Sequence, residues 1–450
     1  MSAQAAVAGT RIADIVGAPN VIADPRELPA YAVDGVIPKA AARPGTPQEI
    51  AELVKFAAAE NLALIPTGAR TKLGIGMPPA RYDLAIDMTR LDRVISYDPG
   101  DLTLGVEPGI PLARLAAILA EHNQFLPLDV PFFERATVGG TLASGVDSPL
   151  RHAYGTARDF VLGMEFVIGD GSLAKSGGRV VKNVTGYDLH KLMLGAIGSL
   201  GVITRVNFKT FPRPVGMRTW TAGFARIEDA TEFSQGIRQS ALAPSSLDLL
   251  NSWSQMDAEI EPHAEWWVTL SAGGSEAVLE RYSRELWRIA EATHARSMVT
   301  LTDEQRERQW TQLRELPQIT IREWHSVTIF KAAVLPSQIG ALLSELTALL
   351  KATHCTAAIL ARASGTVYVL LEPNDVIENA LERLRDICKK LFDLAAKMNS
   401  LATIPRCPPK LKRELSIWGA PREDFALMQR VKHAFDPHNI FTPGRFVGGL

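Results

Sequence analysis

Cysteine, net charge and long apolar runs are all scarce in this chain. Its 450 residues include 3 cysteines, Cys355, Cys388 and Cys407, which form no Cys-x-x-Cys pair and no Cys/His cluster. So small a set cannot hold an iron–sulfur cluster alone, and it is typical of small apolar side chains in a reducing compartment. We therefore expect no disulfide framework and no metal centre.

Charge and hydropathy exclude further classes of protein. The formal net charge is −1, so no overall field attracts the protein to nucleic acid or to an anionic membrane. The N-terminus lacks the basic stretch and apolar run of a secretory signal. No stretch reaches the roughly 18 uninterrupted apolar residues of a membrane span. We expect a soluble, cytoplasmic protein that can attach peripherally to the inner membrane through partner subunits.

The first half of the chain alternates short apolar strands with short helices and is dense in glycine at its turns, which indicates an α+β domain. A Thr-Pro-Gln-Glu run at residues 46–49 predicts a helix start, with Thr46 as the cap and Glu49 completing a capping box. The apolar residues at 50–57 then recur on one helical face.

A change of pattern marks the boundary between the two halves. Two prolines in Phe211–Pro214 end the last strand of the first half and stiffen the exit. Beyond them strands interleave with helices, which predicts an antiparallel sheet with helices on one side. We expect an N-terminal segment (1–37), a first domain (38–213), a cap domain (214–409) and a C-terminal segment (410–450).

Two glycine-containing turns suit a phosphate or a flat ligand. Pro66–Thr71 follows a buried strand, so its successive N–H groups can form an anion-binding concavity. In Ala136–Gly145, adjacent glycines let the backbone approach a flat ligand, and nearby hydroxyls can reach polar ring atoms. Without its neighbours, a motif like Pro66–Thr71 is more often a simple tight turn than a ligand site. For a motif like Ala136–Gly145, a structural turn and a ligand site are equally frequent.

Four further motifs follow along the chain. They are RHAYGTARD at 151–159, KNVTGYDL at 182–189, GAIGSLGVIT at 195–204 and FDPHNIFTPGR at 435–445. In this order and spacing, the set resembles the FAD-binding domain of FAD-linked oxidases, the PCMH-type fold shared with vanillyl-alcohol oxidase. Within that family the chain is most similar to glycolate oxidase FAD-binding subunits.

The resemblance implies a PCMH-type FAD-binding domain of two α/β subdomains, followed by an α+β cap domain with an antiparallel sheet. It also implies that the C-terminal segment returns to the FAD-binding domain. The residues implied to contact FAD are Thr67, Gly68, Ala69, Arg70, Thr71, Thr137, Val138, Gly139, Gly140, Ser144, Gly145, Tyr154, Gly155, Val202, Ile203, Asn439 and Arg445. The family's usual Asn before the C-terminal Pro is Thr442 here.

The sequence lacks two features of related proteins: the histidine that attaches FAD covalently and the histidines that bind a divalent metal. Members that attach FAD covalently carry a histidine in the first loop, where this chain has Ala69 and Arg70, so we expect non-covalent FAD. Many related D-2-hydroxy acid dehydrogenases bind a divalent metal through histidines around a Gly-Asp-Gly-Asn turn. This chain has no such cluster, and Ser364 and Gly365 occupy an ordinary hairpin turn.

Charged residues of the cap are candidates for substrate binding. Arg322 and Lys331 are similar to an Arg and a Lys that hold the substrate carboxylate in related caps. A surface Arg–Glu pair and a solvated lysine are an equally weighted alternative. His325 is the nearby candidate for a base that takes the hydroxyl proton.

The resemblance favours an FAD-dependent oxidoreductase acting on CH–OH groups. It would be the FAD-binding subunit of a glycolate dehydrogenase-like complex that oxidises a small D-2-hydroxy acid or relays its electrons. Its partners would be a second flavin subunit and an iron–sulfur subunit. A stand-alone alcohol or hydroxy-acid oxidase and a non-catalytic scaffold subunit remain open. Neither a Rossmann fingerprint nor a P-loop occurs in the sequence.

Overall fold

The computed structural model describes the protein at residues 3–179, 186–252, 264–318, 327–373 and 377–450. Residues 182–185 of the fourth motif and the substrate candidates Arg322 and His325 lie outside these ranges.

The N-terminal region forms a mixed sheet with two helices. These elements are α1 (Ala3–Val16), β1 (Val21–Ile22), β2 (Ala40–Ala42), α2 (Pro47–Ala59), β3 (Leu64–Thr67) and β4 (Leu84–Asp87). The strands lie in the order β1-β2-β4-β3, with β4 parallel to both of its neighbours and β1 antiparallel to β2.

Helix α2 begins where its sequence predicts. The Thr46 side chain accepts a hydrogen bond from the Glu49 backbone N–H at 3.1 Å, which satisfies one of the unpaired amides of the first turn. The Glu49 carboxylate reaches past Thr46 and accepts from the Gly45 N–H at 2.8 Å. The predicted apolar face is confirmed, because Ile50 and Leu53 are fully buried in the core.

A second, antiparallel sheet follows in the chain. Its region contains β5 (Val94–Asp98), β6 (Thr103–Val106), α3 (Leu112–Ala120), β7 (Gln124–Phe125), α4 (Val138–Ser144), α5 (Arg151–Tyr154), α6 (Ala157–Phe160), β8 (Val161–Val167), β9 (Leu173–Gly177), α7 (His190–Met193), β10 (Val202–Lys209) and β11 (Phe211–Pro212). The sheet order is β5-β6-β10-β8-β9, and β7 pairs with β11 in a separate ribbon.

The cap is built on a larger antiparallel sheet. Its elements are β12 (Gly216–Phe224), α8 (Ile227–Gln239), β13 (Ser246–Asn251), β14 (Trp266–Gly274), α9 (Glu276–Ala292), β15 (Ser297–Thr300), α10 (Asp303–Glu315), β16 (Thr328–Ala333), α11 (Ile339–Ala352), β17 (Cys355–Arg362), β18 (Thr366–Pro373), α12 (Ile377–Lys397) and β19 (Leu401–Arg406). The strands lie in the order β15-β12-β14-β13-β17-β18-β16-β19.

The two faces of the cap sheet bury different helices. Apolar residues of α8, α9, α11 and α12 join the same core cluster as Ile359 of β17. Leu360, the next residue of that strand, points to the opposite face and packs with Leu313 of α10. The sequence predicts helices on one side of the sheet, and α10 departs from that expectation because it covers the face that carries Leu360.

The C-terminal segment contains α13 (Pro409–Lys412) and α14 (Phe425–Phe435) and ends beside the first sheet. The Leu64 N–H donates to the Ile440 carbonyl at 2.7 Å, and the Thr442 N–H donates to the Leu64 carbonyl at 2.9 Å. These bonds add the chain around Phe441 alongside β3. Within the described ranges, no helix combines the length and apolar character needed to cross a membrane.

Two buried cations of this segment hold the loop that follows β3. Arg445, 2% exposed, donates to the carbonyls of Leu73 at 2.5 Å and Ile75 at 2.6 Å. Lys412, 1% exposed, donates to the Gly74 carbonyl at 2.5 Å and pairs with Asp34 at 2.9 Å. Since buried carbonyls without donors are costly, the conformation of the loop depends on these side chains.

We expect Arg445→Met to lower the free energy of unfolding by about 3 kcal/mol, because the loop carbonyls lose their charged donor. Chemical denaturation followed by circular dichroism measures this change. Arg430→Met is the matched control, since Arg430 is exposed on α14, and its effect should stay within about 0.5 kcal/mol. Equal effects of the two substitutions would contradict the role given to Arg445.

Candidate functional site

A cleft lies in the first half, between the turn after β3, helix α4 and the loop before β10. We call it the first cleft. The predicted cofactor residues that line it are Thr67, Gly68, Ala69, Arg70, Thr71, Thr137, Gly139, Gly140, Ser144, Val202, Ile203 and Arg445. The fold therefore brings motifs from distant parts of the chain to one space.

The turn after β3 is anchored by a charged pair. Arg70 has a left-handed backbone conformation with φ of 62°, and its guanidinium pairs with Asp87 at 3.2 Å. The same guanidinium lies 4.5 Å from the centroid of the Tyr31 ring, and the Tyr31 hydroxyl donates to Asp87 at 2.6 Å. Left-handed residues in short turns are a feature of backbone anion-binding concavities, so this turn suits a diphosphate.

Bare backbone forms the closest parts of the wall. A Cβ added to Gly68 would lie 2.1 Å from the Thr137 hydroxyl oxygen, and one added to Gly139 would lie 2.6 Å from Pro108 Cβ. Thr137 in turn caps α4 by accepting from the Gly140 N–H at 3.4 Å. The turn after β3 and the start of α4 can approach each other only because residue 68 has no side chain.

A second cleft adjoins the first, and Ile75 and Ser144 line both. Lys331 and Tyr368 of the cap belong to its wall, and Lys331 Nζ lies 5.6 Å from the centroid of the Tyr368 ring. Burial lowers the pKa of Lys331, and the nearby Asp147 carboxylate offsets part of that effect. The second cleft is therefore lined by a lysine whose charged form is poorly solvated unless an anion accompanies it.

A buried charge cluster joins the two halves near the second cleft. Arg362 of the cap lies with its Nε 3.3 Å from Asp147, which follows α4, and with its Nη1 3.1 Å from Asp248 of β13. Arg151 approaches Asp147 to 3.6 Å from the other side. Burial raises the pKa of Asp248 to about 6, and Arg362 offsets part of that shift.

Several predicted cofactor residues lie away from the first cleft. Val138 is fully buried in the core, Gly145 lines the second cleft, and Asn439 is exposed. The Tyr154 ring packs edge-on against two phenylalanine rings, with centroid distances of 5.3 and 5.0 Å, and Gly155 lines another depression. Tyr154 thus belongs to an aromatic cluster and Val138 to the core of the second sheet, and a contact of either residue with FAD stays a prediction.

Other residues line the first cleft without having been predicted. They are Lys72, Leu73, Ile75, Met88, Ala143, Met193, Ala196, Ile197, Gly198 and Leu200. Most are apolar, and in a sequence such residues cannot be told from core residues. Lys72 is the exception: its Nζ donates to the Pro131 carbonyl at 2.9 Å, and burial lowers its pKa to about 8. Lys72 directly follows the predicted turn at 66–71, and that position in the sequence could have identified it as part of the site.

Two family models match the chain. One, described as an FAD binding domain, matches residues 38–177, which include the turn after β3 and helix α4. The other, described as the C-terminal domain of FAD linked oxidases, matches residues 213–402 and 410–446, more than half of the chain.

Individual proteins extend these matches. The chain is 23% identical over 419 residues to glycolate oxidase subunit GlcD of Bacillus subtilis, covering 91% of this chain and 89% of that protein. It is 38% identical over 168 residues to glycolate oxidase subunit GlcE of Escherichia coli, covering 37% and 47%. The structure of 4-ethylphenol oxidase from Gulosibacter chungangensis shares the fold, with a TM-score of 0.76 at 15% identity and coverage of 99% and 97%.

The first cleft fits the cofactor named by these family models. Its glycine walls leave backbone, without side chains, where a diphosphate or a flat ring must approach. Apolar residues such as Met193 and Leu200 line the remainder, as ring systems require. Among the described residues, no group of three or more His, Cys, Asp or Glu side chains could hold a metal ion.

We expect Gly68→Ala to weaken FAD binding at least tenfold, because the new methyl group would overlap the Thr137 hydroxyl and force the turn away from α4. Flavin content after purification and the dissociation constant from fluorescence titration measure the effect. Gly74→Ala is the matched control in the same loop, since an added Cβ there meets nothing within 4 Å. Similar FAD affinity in both variants would show that the close approach at residue 68 is not required.

The pH dependence of stability tests the buried charge cluster. The pKa of Asp248 is raised from 3.8 to about 6, so the folded protein holds this proton more tightly than the unfolded chain. Stability from this group is fully present below about pH 4 and is lost as the pH rises through about 6. In Asp248→Asn, the free energy of unfolding should fall less between pH 4 and 8 than in the wild type, by up to about 3 kcal/mol.

Denaturation of the wild type and of Asp248→Asn between pH 4 and 8 makes the measurement. Asp101→Asn is the control because Asp101 is exposed, and it should reproduce the wild-type profile. Parallel profiles for Asp248→Asn and the wild type would mean that Asp248 titrates as an ordinary aspartate.

Proposed function

The chain belongs to the family of FAD-linked oxidases, and we propose that it is the FAD-binding subunit of a glycolate dehydrogenase-like complex that oxidises a small D-2-hydroxy acid. The enzyme is an FAD-dependent oxidoreductase acting on CH–OH groups. One observation carries the proposal: a glycine-walled cleft in the FAD-binding half opens into a second cleft faced by a lysine of the cap.

FAD binds non-covalently in the first cleft in this proposal. The turn at 67–71 would hold the diphosphate through its backbone, and Thr137, Gly139 and Gly140 with Ser144 would line the flavin. Val202 and Ile203 pack against the adenine side. Ala69 and Arg70 supply no histidine for a covalent link to the flavin, and Arg70 is already engaged with Asp87.

The substrate occupies the second cleft. Lys331 binds its carboxylate there, because a poorly solvated ammonium group gains most from an anionic partner. Ile75 and Ser144 mark the place where both clefts meet, so an acid held by Lys331 is next to the cofactor site. Arg322 and His325, outside the described residues, remain the candidates for a second carboxylate contact and for the base.

FAD held in the first cleft would supply the two-electron redox chemistry that the oxidation of a CH–OH group requires. The protein contributes position and electrostatics. The second cleft holds the acid by its carboxylate, and the apolar residues Leu401, Ile404 and Ile417 in its wall limit the access of water.

Electrons leave to partner subunits in this proposal, a second flavin subunit and an iron–sulfur subunit. Two relatives are named as subunits of a glycolate oxidase, which supports membership of a complex. The chain itself has 3 cysteines, fewer than the four thiolates that usually hold an iron–sulfur cluster. Cys355, Cys388 and Cys407 are thiols buried in the cap.

We expect the purified chain to show flavin absorption bands that bleach when glycolate or D-lactate is added without oxygen. Acid precipitation should release the flavin into the supernatant, because no covalent bond holds it. L-lactate is the control and should leave the bands unchanged. Co-expression with candidate flavin and iron–sulfur partners, followed by size exclusion, tests the complex.

Three other outcomes of the flavin experiment would support different functions or refute the proposal. Sustained turnover of the chain alone with an artificial acceptor would favour a stand-alone oxidase. Bands that persist with every 2-hydroxy acid would favour a subunit that holds FAD without oxidising the substrate itself. A protein without flavin bands, even after incubation with FAD, would refute the proposal.

A further inference from the structure

A row of polar side chains crosses the cap sheet at the second cleft. Lys331 on β16 lies directly opposite Tyr368 on β18 and opposite Thr403 on β19. Side chains at paired positions of neighbouring strands point to the same face of a sheet, and all three residues line the second cleft. The sheet therefore presents an ammonium group flanked by two hydroxyl groups to one space.

In this row, the hydroxyl group of Tyr368 lacks a hydrogen-bond partner among the described residues. It is 2% exposed, and its ring packs in an apolar cluster with Leu360, its register partner on β17. In the described part of the chain its hydroxyl has no hydrogen-bond partner, and the oxygen is not among the sealed, unpartnered atoms of the core, so it is open to a partner from outside the protein. The ring also belongs to the wall of the second cleft, so a molecule in that cleft can supply the missing partner.

The environment makes Tyr368 a hydrogen-bond donor. Burial raises the pKa of its hydroxyl well above the usual value, and the Asp147 carboxylate acts in the same direction. The hydroxyl therefore keeps its proton at physiological pH and cannot serve as a base. It has a proton to donate, and Lys331 Nζ lies beside its ring, so the pair offers two donors to an acceptor with two oxygens, such as a carboxylate.

We propose that Tyr368 is a substrate-binding residue whose hydroxyl donates to one carboxylate oxygen of the 2-hydroxy acid while Lys331 Nζ donates to the other. This inference rests on the proposed function, because it takes the second cleft as the substrate site. Two donors fix the direction of the carboxylate as well as its position. The substituted carbon then faces the junction with the first cleft, at Ile75 and Ser144.

The pair selects acids over alcohols. A substrate without a carboxylate would leave both the Tyr368 hydroxyl and the Lys331 ammonium group unpaired in a site of low solvation, which strongly disfavours its binding. The methyl ester of glycolate has the same reacting carbon and lacks only the anionic group. It should therefore be a much poorer substrate than glycolate.

The test uses the FAD-loaded protein and oxalate, a dicarboxylate that has no C–H bond to oxidise. Oxalate binding is followed by the shift of the flavin absorption bands. We expect Tyr368→Phe to keep its flavin and its melting temperature but to bind oxalate about tenfold more weakly. Lys331→Met should lose about a hundredfold, and Lys331→Arg should recover part of the loss.

Tyr187→Phe is the matched control, because the Tyr187 side chain is 89% exposed. It should bind oxalate as the wild type does. The KM for glycolate should rise in Tyr368→Phe by the same factor as the oxalate dissociation constant. The double variant should lose less than the product of the two single losses, since both side chains hold one group.

Oxalate binding by Tyr368→Phe that equals binding by Tyr187→Phe would overturn the role of Tyr368. Equal turnover of glycolate and its methyl ester by the wild type would do the same, and that measurement needs no variant. If the flavin of the wild type bleaches with glycolate and one of these two results is obtained, this inference is refuted and the proposed function is not. A flavin-loaded wild type that responds to neither oxalate nor any 2-hydroxy acid refutes the proposed function as well.

Discussion

Two buried cations near the C-terminus determine the shape of the candidate site. Lys412 and Arg445 donate to carbonyls of the loop at 73–77, which continues the turn that lines the first cleft. A loop that runs through the interior needs partners for its carbonyls, and neighbouring strands do not supply them here. The part of the first cleft that Leu73 and Ile75 line therefore depends on side chains from the C-terminal segment.

The same requirement for buried partners joins the two halves. Asp147 follows the helix that lines both clefts, and its carboxylate lies against Arg362 of the cap. Separating the halves would take Asp147 away from Arg362 and leave the guanidinium with Asp248 and the Leu313 carbonyl as its partners in the cap, and losing one partner of a buried charge group is costly. The charge cluster thus helps to hold the cap against the first half, where Lys331 and Tyr368 line the second cleft.

Local patterns predicted the elements and much of the first cleft, because capping residues, strand-ending turns and adjacent glycines have short-range causes. The start of α2 and the residues at 67–71 are examples. Tyr154 was placed at the cofactor by resemblance, yet its ring completes an aromatic cluster with Phe125 and Phe211. Tyr368 gave no signal, since its role depends on strand register and on which face of the cap sheet meets the other half.

A second path of contacts connects the cap with the turn that lines the first cleft. Glu315 at the end of α10 accepts from the Phe132 N–H at 2.7 Å, and Trp310 of the same helix donates to Asp129. The adjacent Pro131 carbonyl accepts from Lys72, which follows the turn directly. A shift of α10 would therefore move a group that lines the first cleft. The contacts of Glu315, Phe132 and Lys72 thus join the cap to the lining of the first cleft by hydrogen bonds, in addition to the charge cluster around Arg362.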